Sequence, residues 1–101
     1  MKAALFHKES GDLIISNKNI PNLSDKDVLV KVHYCSFCGH DLAVIQGMLK
    51  RGVGNEVILG HELSGIVDSV GPQVSTCSPG DRVVSLLTNS CGICDLSLIH
   101  I

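Results

Sequence analysis

Cys38, His61 and Glu62 are the side chains of this 101-residue chain whose types could do chemistry together. A thiolate, an imidazole and a carboxylate are ligand types that Zn²⁺ accepts. A catalytic zinc site uses three protein ligands and keeps one position open for water or substrate. The thiol lies far along the chain from the imidazole and carboxylate, so only the fold can bring the three together. On composition alone the grouping is weak, because five cysteines and five histidines offer many such triplets. Read without a metal, the same residues are a buried thiol, a satisfied core histidine and a solvated carboxylate.

Two other cysteine pairs carry a spacing. Cys35 and Cys38 form a Cys-x-x-Cys, the arrangement of a thiol redox pair, but that chemistry expects a helix opening between or just after the thiols in an α/β setting, whereas this pair sits at the end of a predicted strand. Cys35 is therefore expected as a small core residue. Cys91 and Cys94 have the spacing of half a four-cysteine zinc site. Cys77, in a Ser/Thr-rich turn, reads as a bystander thiol. An odd number of cysteines argues against a closed disulfide framework and favours metal or thiolate chemistry in a reduced compartment.

The elements that must position these residues are short and β-rich. Strands are expected over 3–7, 13–16, 28–34, 63–70 and 82–86, separated by turn clusters such as Ser10-Gly11-Asp12, Gly71-Pro72 and Ser78-Pro79-Gly80-Asp81. In the third run Val28, Val30 and Val32 alternate with Leu29, Lys31 and His33, which predicts a half-buried strand. A short helix is expected over 41–47, with Asp41 as N-cap and Gly47 as the stop. Cys38 then ends the strand that begins at Val28, and His61 opens the one after Gly60. Many short strands at near-regular spacing predict a mainly β fold, a small barrel or sandwich with one or two short helices.

Composition narrows the function classes. With 45% hydrophobic and 18% charged residues the chain can build a core, which excludes disorder as its main state. A formal charge of −2 and three aromatic residues leave neither a basic face nor a stacking platform for nucleic acid. His7, Lys8 and Glu9 interrupt the apolar opening well short of a signal-peptide core, and no run approaches a membrane span of ~20 residues. A soluble, cytoplasmic protein is expected.

The pattern around the triplet raises its weight. Gly60-His61-Glu62-Leu63-Ser64-Gly65, continuing through Gly71 and Val74, resembles the zinc signature of the zinc-containing alcohol dehydrogenases of the medium-chain dehydrogenase/reductase superfamily. Cys38-Gly39-His40-Asp41 is similar to that family's first zinc-ligand turn. Gly80-Asp81-Arg82-Val83 is similar to its barrel-closing turn, and Cys91-Gly92-Ile93-Cys94 to the start of its structural-zinc lobe.

The resemblance implies that residues 1–101 are the GroES-like catalytic domain, truncated, with the nucleotide-binding domain absent. It makes Cys38 and His61 zinc ligands and Glu62 a ligand or an alternative one, with a further ligand from beyond residue 101. Asp41 becomes the carboxylate that orients the histidine ligand. His40 stands where the family commonly places Ser or Thr, and an imidazole there can act as proton relay or general base, or be a solvent-facing turn residue. Ser97 occupies the place of the next structural-zinc cysteine, which puts that second zinc, and the natural continuation of the last residues, in question. Gly52-Val53-Gly54 begins a dinucleotide-binding pattern, but Val57 stands at its third glycine and no strong strand precedes it.

The implied function is the zinc-binding portion of an NAD- or NADP-dependent alcohol or polyol dehydrogenase, a homo-oligomer when whole and inactive as this piece alone. Two competing expectations are a metal-binding β-barrel module without turnover, and a redox module in which Cys35 and Cys38 form a reversible disulfide.

Overall fold

The computed structural model describes residues 1–49 and 54–86, so Gly52, Val53, Cys91, Cys94 and Ser97 lie outside the described residues. The first two β-prone runs form a hairpin. β1 (Lys2–His7) and β2 (Asp12–Asn17) pair antiparallel from Lys2 opposite Asn17 to His7 opposite Asp12. The turn closes through the Gly11 N–H, which donates to the His7 carbonyl at 2.8 Å. The other edge of β1 takes β4 (Glu56–Ile58), with Leu5 opposite Ile58 and His7 opposite Glu56. Leu5 and Phe6 are consecutive, so they face opposite sides of the sheet, and both are buried. Each contributes about 2 kcal/mol of apolar burial.

The second sheet has the order β3-β5-β6, built from β3 (Val28–Ser36), β5 (Glu62–Val70) and β6 (Arg82–Val84). β5 is its central strand and carries Val67, 2% exposed. Between β3 and β4 lies α1 (Gly39–Ile45), which buries Asp41 and Val44.

The fold is mainly β with one short helix among the described residues, as expected. Their strands form two three-stranded sheets, not a closed barrel. Closure requires pairing to continue from edge to edge around the whole set. Here β4 and β6 supply three residues each, and no ladder joins the two sheets among the described residues.

Three local expectations are corrected. The helix starts at Gly39 instead of Asp41, because Cys38 is the N-cap and Asp41 sits one turn inside, its carboxylate turned back onto the cap. The face expected to be buried on β3 is not, since Val28 and Val32 are 37% and 48% exposed. The register shifts between Leu29 and Val30 and between Val32 and Tyr34 place the extra residues at Asp68 of β5 and His33 of β3, so Val28, Val30 and Val32 keep their alternation and their face is simply left uncovered at both ends. Strand β4 was not foreseen, and the last described strand ends at Val84, short of Leu86. No helix among the described residues is long and apolar enough to cross a membrane.

Candidate metal centre

The register of β3 against β5 assembles the site. Cys35 pairs with Leu63 and Ser36 with Glu62, so the chain leaving β3 runs alongside the chain entering β5. Two residues beyond β3 stands Cys38, and one residue before β5 stands His61. Their side chains meet with Sγ of Cys38 3.3 Å from Nε2 of His61. The donor atoms of Cys38, His61 and Glu62 all lie within 4.8 Å of one another. A tetrahedral ion with the usual zinc–sulfur and zinc–nitrogen bonds holds those two atoms about 3.5 Å apart, so the pair is close to the spacing an ion needs. The Cys38–His61 pair fits zinc in chemistry and in separation, and Glu62 adds a carboxylate of suitable chemistry nearby.

Asp41 ties the two turns together. Its Oδ2 accepts the Cys38 N–H at 3.0 Å and its Oδ1 accepts the Gly60 N–H at 3.0 Å, one bond to the turn before α1 and one to the turn before β5. Oδ1 also lies 3.4 Å from Nδ1 of His61. With the imidazole proton on Nδ1, facing Asp41, the Nε2 lone pair is left toward Cys38, the arrangement that metal-bound histidines favour. Burial works to raise the Asp41 pKa. The two backbone N–H bonds, the neighbouring His61 and the Cys38 side chain outweigh it and hold the carboxyl below its usual value. The residue is therefore an anion at neutral pH, at a position 2% exposed.

Cys38 serves the helix and the pocket with the same atom. Its sulfur accepts the His40 N–H at 3.4 Å while Asp41 accepts the Cys38 N–H, a reciprocal cap of the capping-box kind. The turn before β5 is equally constrained. Gly60 has φ +92°, a backbone region that favours glycine, and a Cβ there would stand 2.5 Å from Sγ of Cys35, so the cysteine side chain would have to shift.

Two serines that the spacing of motifs did not single out touch the same segment. Ser36 Oγ donates to Oε2 of Glu62 at 2.7 Å, and Ser85 Oγ donates to the His61 carbonyl at 2.6 Å. Only the strand register could have revealed the first of these. His40 is exposed and its ring stands edge-on to His61, with centroids 5.2 Å apart. Cys35, expected in the core, is exposed, because the turn at Gly60 approaches its sulfur but leaves the rest of the residue open to solvent. Its thiol points to the Ser36 carbonyl at 3.7 Å, while the Cys38 thiol faces His61. Both are free thiols, as is Cys77.

Residues 24–99 match the alcohol dehydrogenase GroES-like domain family. The chain belongs to that family. Zinc-type alcohol dehydrogenase B of Aspergillus flavus is 39% identical over 95 residues, covering 93% of this chain and 22% of the relative. The alcohol dehydrogenase of Thermus sp. ATN1 superposes with a TM-score of 0.83 at 34% identity, over 99% of this chain and 28% of that one. An alcohol dehydrogenase of Escherichia coli CFT073, solved with NADH, gives 0.80 at 34% identity, over 98% and 28%. The GroES-like chain thus spans about a quarter of the length of the relatives it matches. Its mainly β fold is that of the alcohol dehydrogenase neighbours.

Proposed function

We propose that this chain is the metal-holding, substrate-facing part of a zinc-dependent, nicotinamide-linked alcohol or polyol dehydrogenase. Cys38 and His61 hold the ion, and Glu62 is a third ligand or an alternate one. When bound, zinc supplies Lewis-acid polarisation of an alcohol oxygen and NAD or NADP supplies the hydride acceptor. Asp41 fixes the His61 ring through Nδ1 and keeps Nε2 free for coordination. His40, exposed beside His61, passes the proton of the substrate hydroxyl to solvent, a task an imidazole performs near neutral pH. Among the described residues none is assigned to the nicotinamide.

The observation that carries this reading is the meeting of Cys38 and His61 at 3.3 Å, with Asp41 on the other ring nitrogen. The relatives support the class: one is called zinc-type, and another was solved with NADH. The test is a cobalt(II) titration of the chain carrying Cys91→Ser and Cys94→Ser, which takes those two thiols out of the measurement. Thiolate-to-cobalt absorption is expected in this background and absent when Cys38→Ser is added. His61→Ala should weaken binding by more than the ~10–100-fold that loss of an outer partner costs. Full cobalt absorption in the Cys38→Ser protein would refute the proposed centre.

A further inference from the structure

The pairing of β5 with β6 stops at Ser64 opposite Val84, immediately short of the segment that carries His61 and Glu62. The next main-chain link still forms, with the Ser85 N–H donating to the Leu63 carbonyl at 2.9 Å. From there a side chain continues the connection. Ser85 Oγ accepts the Leu63 N–H at 2.9 Å and donates to the His61 carbonyl at 2.6 Å. One hydroxyl thereby spans the peptides on both sides of Glu62, using its single proton and a lone pair, both in a part-buried setting.

We infer that Ser85 is a positioning residue for the metal pocket, and the inference rests on the centre proposed above. Two of the three donor side chains, His61 and Glu62, project from the stretch that this hydroxyl holds. The Cys38 side of the pocket is fixed independently, by the helix cap and by Asp41. Without the hydroxyl, the His61 carbonyl and the Leu63 amide lose a shared partner. The His61 backbone can then rotate, and a displacement of a few tenths of an ångström at the backbone grows along the side chain to Nε2. The loss should therefore be felt in the geometry of coordination and not only in the stability of the strand.

The experiment uses the same chain carrying Cys91→Ser and Cys94→Ser, with cobalt(II) as the probe. Ser85→Ala is expected to weaken cobalt binding by about 10–100-fold and to alter the visible spectrum of the bound ion. Ser85→Thr, which keeps a hydroxyl, should bind within about threefold of the parent. Ser85→Val matches threonine in shape without the hydroxyl and suits a strand, so it supplies the comparison if Ser85→Ala fails to fold. Parental affinity and spectrum in Ser85→Ala or Ser85→Val overturn the inference while leaving the metal centre standing. A parent chain that binds no cobalt overturns the centre itself, and the inference with it.

Discussion

His61 and Asp41 stand 3.4 Å apart at Nδ1 and Oδ1, and His7 and Glu56 stand 3.7 Å apart at Nδ1 and Oε1. The two pairs have the same chemistry and nearly the same separation. Their carboxylates differ in surroundings. The Asp41 side chain is 3% exposed and takes two backbone N–H groups from two different turns. The Glu56 side chain is 53% exposed and is shared between His7 and Lys18. His7 and Glu56 face each other because β1 and β4 pair in that register, whereas Asp41 and His61 belong to a helix and a turn with no ladder between them. The surface pair is thus a consequence of the sheet, and the buried one is a cause of the arrangement around it.

The largest effect should come from Asp41→Ala, which orphans the Cys38 and Gly60 amides together. At about 1–3 kcal/mol for each unsatisfied buried group, the chain should lose about 4 kcal/mol in a urea titration, and metal affinity should fall by about 10–100-fold. Asp41→Asn sharpens the assignment through pH. The folded pKa of Asp41 lies below its unfolded value, so its contribution is complete above the ordinary carboxylate range near 4 and is lost as pH falls through the lower folded value. The stability difference between the parent and Asp41→Asn should be constant from pH 7 to about 5 and shrink only in more acid solution. A difference that widened on acidification would mean that the carboxyl is protonated in the fold.

A second, smaller contrast uses glycine. Gly60 and Gly47 both have positive φ, +92° and +71°, but a Cβ at Gly60 meets the Cys35 sulfur while one at Gly47 meets nothing within 4 Å. Gly47→Ala should cost about 1 kcal/mol, the strain of the left-handed region alone. Gly60→Ala carries the same strain plus the overlap with sulfur, and should cost about 2–3 kcal/mol by thermal or urea unfolding. Equal costs would show that the Cys35 side chain yields freely and that the turn before His61 is not tightly held.

How much of this was legible in the sequence follows from the range of each interaction. The runs that became β1, β2, β3 and β5 were visible because apolar side chains and flanking turn residues are local signals. Cys38, His61 and Glu62 were visible as ligand types, and the pattern around Gly60-His61-Glu62 gave them weight. Asp41 was foreseen both as a helix cap and as the partner of His61. Its position inside the cap is hidden because cysteine is a rare N-cap, so local preference points to the nearest aspartate instead. β4 is three residues long and exists by pairing with β1, which no local pattern announces. The shifted register of β3 against β5 is likewise a property of the pair of strands, and the exposure of Val28 and Val32 depends on what covers their face, which alternation alone does not tell. Ser36 and Ser85 act across strands, so their roles appear only once the register is known.

The smallest expected effect falls on the other member of the comparison. Glu56→Gln removes a charge that Lys18 meets at 3.2 Å and His7 at 3.7 Å. Exposed ion pairs gain little because water screens them and because holding long side chains in place costs entropy. The variant should unfold within about 0.5 kcal/mol of the parent, and half-molar salt should erase what difference there is. Glutamine also keeps an acceptor for Lys18, so the loss is confined to charge. A cost approaching that of Asp41→Ala would mean that the β1–β4 pairing depends on this carboxylate as strongly as the two ligand-bearing turns depend on theirs. The shared separation of the two pairs would then outweigh the difference in their surroundings.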